Sequence, residues 1–293
     1  MRLGLRCAAP AYARAVPISV AGPDGRVLVA HDSGLADPVL TLVWHTGSPQ
    51  TGALLPPLLT AAGERRIRVV SYGRPSYGGS TPNPGRDVAS AATDVGAIAD
   101  ALGVDRFATM GASGGGPHAL ACAALLGDRV TGAVTIAGVA PYTQEFDWFA
   151  EMRSPGGLRS ALEGGRAGRA AFAETDEFDP EQFVEPDRAA LDGAWSPLGE
   201  DSQRASQDGP DGLIDDDCAF VIPWGFDLEA IRVPVLVLQG GRDRVIPQAH
   251  GEHLARHIPG AELQLRPGDG HVSVLLAVPA ALDWLLERAQ RTA

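Results

Sequence analysis

The chain has 293 residues, 45% hydrophobic and 20% charged, which fits one large globular domain or one domain carrying an insertion. It contains no run of about 18 apolar residues, so no membrane span is expected. A formal net charge of −12 argues against a nucleic acid partner, because phosphates would be repelled.

All 24 basic residues are arginine. Cys7, Cys122 and Cys218 stand far apart with no metal-ligand spacing, as reduced thiols of a cytoplasmic protein would. The N-terminus starts basic, but Arg6 and Arg14 interrupt any apolar core, so no signal peptide is expected.

Three strands are predicted first: Ala15–Val20, Arg26–His31 and Pro38–Trp44, the first two joined by the turn Pro23-Asp24-Gly25. The third is apolar on both faces, as a central strand should be, and runs into His45-Thr46-Gly47-Ser48-Pro49. A helix over about 51–63 leads to the strand Ile67–Ser71 and the turn-rich loop Tyr72 to Ser80. Asp87 to Leu102 has helical periodicity, with Val88, Ala91, Ala92, Val95, Ile98 and Leu102 on one face. A strand at Phe107–Met110, a helix and a strand at Ala133–Val139 follow. Alternation resumes with a strand at 233–238, a helix at 247–257, the strand Ala261–Leu265 and a terminal helix at about 272–290. This is an α/β pattern: a mostly parallel central sheet covered by helices on both faces.

Residues 141–228 interrupt the alternation with short helical pieces and Gly/Pro/Asp-rich joints. They are expected to form a helical lid inserted into a core of residues 1–140 and 229–293. The insertion holds 20 of the 36 acidic and 6 of the 24 basic residues, a net of −14 against +2 for the rest. It also holds 11 of the 17 aromatics. One reading is a solvated acidic outer face with aromatics packing the lid onto the core. Another has Trp148, Phe149, Trp224 and Phe226 lining an apolar substrate pocket, with acidic rims that disfavour anionic substrates.

The stretch RFATMGASGGGPHALACAAL (106–125) reads as strand, sharp turn, helix, with Gly111-x-Ser113-x-Gly115 at the turn. In that context the pattern is a nucleophile elbow: Ser113 takes a strained conformation above the sheet, and side chains at 111 or 115 would collide. A serine nucleophile needs a base, and the base an orienting acid. Asp243 follows the strand at 233–238, and His271 follows the strand at 261–265, so all three candidates sit at C-terminal strand ends. Asp269, two residues from His271, is expected to shape the turn instead. His118 is expected to pack within the elbow helix. His250, His253 and His257 recur on one helix and are expected to form a solvated face, since a metal would need ligands from elsewhere. Two N–H donors for an oxyanion are expected at Gly114 and Ser48.

Together these residues resemble the α/β-hydrolase superfamily over nearly the whole chain outside the lid. The loop Arg74-Pro75-Ser76-Tyr77-Gly78-Gly79-Ser80 is similar to the family's Arg-Pro-Gly-x-Gly-x-Ser signature. One departure concerns the oxyanion motif, usually His-Gly-x-Pro: here Thr46 replaces the His and His45 stands one place earlier, which keeps the backbone donor but removes the His side chain's support. Serine at 113 argues against the haloalkane dehalogenases and epoxide hydrolases, which place Asp there. The resemblance implies a small-molecule substrate, no cofactor and no metal. It implies hydrolysis of a small or medium carboxylic ester or lactone. Alternatives are an aminopeptidase of the proline-iminopeptidase type, a lyase or cyclase, or a ligand-binding protein reusing the fold.

Overall fold

The computed structural model describes residues 16–22 and 24–291; the N-terminal stretch with Cys7, and Pro23 of the expected turn, lie outside the described residues. Eight strands form one sheet: β1 (Pro17–Ala21), β2 (Val27–Asp32), β3 (Leu40–His45), β4 (Ile67–Tyr72), β5 (Phe107–Ala112), β6 (Val130–Ile136), β7 (Val235–Gly240) and β8 (Glu262–Arg266). Their spatial order is β1-β2-β4-β3-β5-β6-β7-β8. The β1–β2 and β2–β4 pairs are antiparallel, and every other pair is parallel.

The core helices are α1 (Pro56–Gly63), α2 (Ser90–Ala101), α3 (Gly115–Leu125), α8 (Gln248–His257) and α9 (Val278–Arg291). Successive strand residues point to opposite faces, and here both sets are apolar. Val70, Tyr72, Val235 and Val237 join one buried cluster with Ile98 of α2, Leu120 of α3 and Leu254 of α8. Their neighbours Ile67, Val69, Leu236 and Leu238 join a second cluster with Leu58 of α1 and Leu282 of α9. The sheet is thus covered on both faces, as parallel strands without polar alternation require.

Several boundaries differ from expectation: the first helix, expected over about 51–63, begins only at Pro56, and the strand expected at 233–238 runs Val235–Gly240. The sixth strand starts and ends three residues early, because pairing with β5 begins at Val130 and Ala137 turns into the left-handed region at φ 48°. The terminal helix is preceded by a separate 3₁₀ turn, Ser273–Ala277.

Between β6 and β7 lie α4 (Gly156–Ala173, broken at Gly165), α5 (Glu185–Asp192), α6 (Ser196–Gln207) and α7 (Asp211–Val221). Their acids do not form one solvated face: Asp187, Asp201, Asp215, Asp216 and Asp217 are buried. The last three are consecutive on α7. Positions 100° apart around a helix cannot all face water when the helix also buries Ile214, Ala219 and Phe220. A buried carboxylate is costly unless paired. Asp201 accepts from the Thr51 amide at 3.0 Å and its hydroxyl at 2.6 Å; Asp215 pairs with Arg166 at 2.9 Å and Asp217 with Arg169 at 2.6 Å. Burial pushes the Asp217 carboxyl up to about 6, against the opposing pull of Arg169. Among the described residues no helix is long and apolar enough to cross a membrane.

Candidate active site

Strand order brings two loops together. β3 and β5 are adjacent although the chain visits β4 and α2 between them, and His45 pairs with Gly111. The loops that leave the two strands therefore start side by side at the C-terminal edge, where open α/β sheets build their sites. Ser113 has φ 51°, and its amide donates to the Ile136 carbonyl at 2.8 Å. The glycines flanking it are required sterically: a Cβ at 111 would strike the Gly115 carbonyl, and one at 115 the His45 and Thr46 carbonyls. The expected elbow is present, with the N–H of Gly114 at the start of α3, where the helix dipole favours negative charge.

β8 lies three strands from β5, about 14 Å at the usual interstrand spacing, so His271 reaches Ser113 only if its loop returns across the sheet edge. The loop brings His271 to the wall of a cavity of about 600 Å³ that Ser113 also lines. Its Nδ1 lies 2.8 Å from Oδ2 of Asp243. Asp243 is held in turn by the Val245 and Ile246 amides, which donate to Oδ1 at 2.8 and 2.9 Å. Burial alone would lower the imidazole's pKa, but the Asp243 carboxylate, with Asp187 behind it, raises it above the ordinary value. Asp269 pairs with Arg266 and shapes the turn, as expected.

Two carboxylates that sequence reasoning did not single out complete the site. Asp187 of α5 is fully buried and reads the returning His271 loop. It accepts the amides of His271 at 3.2 Å, Val272 at 2.9 Å and Ser273 at 2.8 Å, and the Ser273 hydroxyl at 2.8 Å. Asp216 of α7 takes Arg74 at 2.6 Å, Arg86 at 2.6 Å, the Tyr77 hydroxyl at 3.1 Å and the Ser48 hydroxyl at 2.5 Å. Burial alone would raise the Asp216 carboxyl, but the two guanidinium groups hold it well below the usual carboxylate range.

Arg74 also answers the missing His of the oxyanion motif. Its guanidinium donates to the Thr46 carbonyl at 2.5 Å and the Gly47 carbonyl at 3.1 Å, fixing the loop that presents the Ser48 amide. His45 lies beneath, fully buried, and burial with the nearby Arg74 lowers its pKa to about 3. The signals for this network were available. Arg74 begins the signature loop, and three acids in a row on an otherwise apolar helix predict buried partners. Asp187 carries no local signal.

The four aromatics of residues 141–228 expected at the substrate, Trp148, Phe149, Trp224 and Phe226, are not among the residues that line this cavity. Trp148 donates its indole N–H to the Ala140 and Pro141 carbonyls at 3.0 and 3.1 Å and packs on Phe149 and His250. Trp224 donates to the Phe220 carbonyl at 3.3 Å and packs on Phe226. A buried indole needs an N–H partner, and these find theirs where the insert's two ends join the core. The cavity wall is instead formed by Phe178, Phe183, Leu191, Trp195 and Leu198 of the insert, facing Leu275 of the core.

His118 packs as expected, its Nδ1 2.7 Å from the Gly114 carbonyl. The α8 histidines do not form a solvated face. His250 is buried, 3.1 Å from the Ala140 amide and 2.9 Å from the Trp148 carbonyl, and His253 is buried beside it.

Comparison with known proteins agrees with this architecture. The sequence pattern of the alpha/beta hydrolase fold matches residues 41–278. A putative carbamate hydrolase, RutD, of Caulobacter sp. (strain K31) is 26% identical over 239 residues, 79% of this chain and 83% of that protein. The fold is similar to a thermophilic esterase from Thermogutta terrifontis (TM-score 0.70, 21% identity, 94% of this chain and 100% of that one). It is also similar to the enol-lactonase from Burkholderia xenovorans LB400 (TM-score 0.68, 19% identity, 93% and 100%). The chain therefore belongs to the alpha/beta hydrolase family and is an enzyme of the hydrolase class.

Proposed function

We propose that the protein is a serine hydrolase that cleaves a small or medium carboxylic ester or lactone through an acyl-enzyme on Ser113. The observation that carries this reading is the Nδ1–Oδ2 contact of 2.8 Å between His271 and Asp243, with Ser113 on the wall of the same cavity. That contact fixes the tautomer with Nε2 free to act as base. His271 takes the Ser113 proton as the oxygen attacks the substrate carbonyl. The Gly114 and Ser48 amides receive the oxyanion, and each such donor is worth roughly 2.7–4 kcal/mol where tested. His271 then protonates the leaving alcohol, and water, activated by the same base, releases the acid. No step calls on a cofactor.

The aminopeptidase alternative needs carboxylates aimed at a substrate ammonium. No Asp or Glu is among the residues that line the cavity, which favours an uncharged substrate. In this reading residues 141–228 act as the lid. The free thiols Cys122 and Cys218 fit a cytoplasmic protein.

A fluorophosphonate probe should label the wild-type protein and spare Ser113→Ala. A panel of p-nitrophenyl esters, lactones and a proline anilide should show turnover of the esters or lactones. Labelling that persists at another serine in the variant, or turnover of the anilide alone, would reject the proposal.

A further inference from the structure

A second cluster lies outside the cavity, where the insert leaves the core. His253 and His257 are one turn apart on α8, a spacing that places two side chains on the same helix face. Their rings stack with centroids 4.0 Å apart. Glu145, in the segment that follows β6, closes the group. Its Oε2 lies 3.1 Å from His257 Nε2 and 3.8 Å from His253 Nδ1. The three candidate ligand atoms all lie within 4.8 Å of one another.

Two details of hydrogen bonding give this triangle a chemical meaning. His257 Nδ1 lies 2.9 Å from the His253 carbonyl, so that nitrogen carries the proton and Nε2 presents a lone pair toward the Glu145 carboxylate. His253 is 5% exposed, and its Nδ1 has no hydrogen-bond partner although it points into the same space. A lone pair, a carboxylate oxygen and an unsatisfied buried imidazole nitrogen converge on one point. That arrangement calls for a positive charge, either a proton or a metal ion.

We propose that Glu145, His253 and His257 form a binding site for a divalent transition metal of the zinc type. Two imidazoles and a carboxylate suit such borderline ions. Ligand distances of about 2.0–2.2 Å require the atoms to draw closer, and the exposed Glu145 side chain is free to do so. None of the three residues lines the cavity with Ser113, so the role is structural. The ion staples the first residues of the insert to α8, the helix that follows the Asp243 loop. Phe146, packed edge-on against His250 and tilted against His253, already holds the segment in register.

The test uses chelator-treated, tag-free full-length protein and Co²⁺ or Zn²⁺ as the probe. Co²⁺ titration should show one site per chain with visible d–d absorption that Zn²⁺ displaces. Zn²⁺ should raise Tm by several degrees at saturating excess, because an ion that binds only the folded state stabilises it. His257→Ala and Glu145→Gln, both at accessible positions, should weaken binding at least tenfold and remove the Tm shift. His271→Ala should leave both intact. Binding that survives His257→Ala and disappears in His271→Ala would put the ion at the active-site histidine and overturn the proposal. A titration without a one-to-one site would mean that the triangle holds only a proton, and would overturn it too.

Discussion

The core and the insert use the same residue type in different ways. In the core, Asp243 sits on a loop that chain order already marks: the Val245 and Ile246 amides hold one oxygen, and the other lies 2.8 Å from Nδ1 of His271. In the insert, Asp187 and Asp216 act on backbone and guanidinium groups. They clamp from above the two loops that the core extends toward Ser113. The insert, with a net charge of −14, looks like a solvated shell by composition. Its buried acids instead tie the insert to the loops beside Ser113. Substitutions that separate orienting the base from clamping the loops break or sharpen this contrast.

The largest effect is expected at Asp243. Removing the orienting acid costs about 10⁴ in kcat in well-studied triads, so Asp243→Asn should lose that much while Asp269→Asn, on the turn, loses far less. Steady-state kinetics on one ester checks the ranking, and the reverse order would move the acid to Asp269.

Next comes Asp216→Ala, which leaves Arg74 and Arg86 buried without their carboxylate. Breaking a buried pair by removing one partner costs about 3–5 kcal/mol, measurable by urea unfolding. Because Arg74 would lose its fixed position under the Thr46 and Gly47 carbonyls, kcat should fall in the fraction that remains folded. An unfolding midpoint equal to wild type would show that the network is not a clamp.

Asp187→Asn is smaller, about 1–3 kcal/mol for imperfectly satisfied buried groups. It has a signature that mere destabilisation lacks. The raised His271 pKa places the acid limb of kcat/KM above the ordinary value of 6.5, since the neutral imidazole is the base. Removing the Asp187 charge makes the imidazolium less favourable, so the limb should move to lower pH. The same raised pKa stabilises the fold below the ordinary imidazole value, and that contribution is lost as pH rises through the raised one. An acid limb that stays in place would assign Asp187 a purely structural part.

A last pair of substitutions distinguishes the two sets of aromatics. Along an ester series from acetate to octanoate, each buried methylene should gain roughly 0.8 kcal/mol, about 15-fold in kcat/KM for two. Trp195→Ala should flatten that gain. Trp148→Ala should cost about 3–5 kcal/mol of stability and leave the slope unchanged. A slope that follows Trp148 would return the substrate to the insert's roots.

The sequence by itself determined the alternating sheet, the elbow at Ser113, and the order in which Asp243 and His271 follow it. These features are local: an apolar run, a glycine-flanked turn, a polar residue just past a strand. The elbow could be read because Gly111 and Gly115 answer to steric contacts with the neighbouring chain that no other residue satisfies. Tertiary structure alone decided which aromatics reach the cavity and where Asp187 finds its partners. Trp148 finds carbonyl partners at Ala140 and Pro141, where residues 141–228 begin, while Trp195 lines the cavity. Likewise, the five contacts of Asp187 come mostly from residues more than eighty positions away, and only folding brings them within hydrogen-bonding range of one carboxylate.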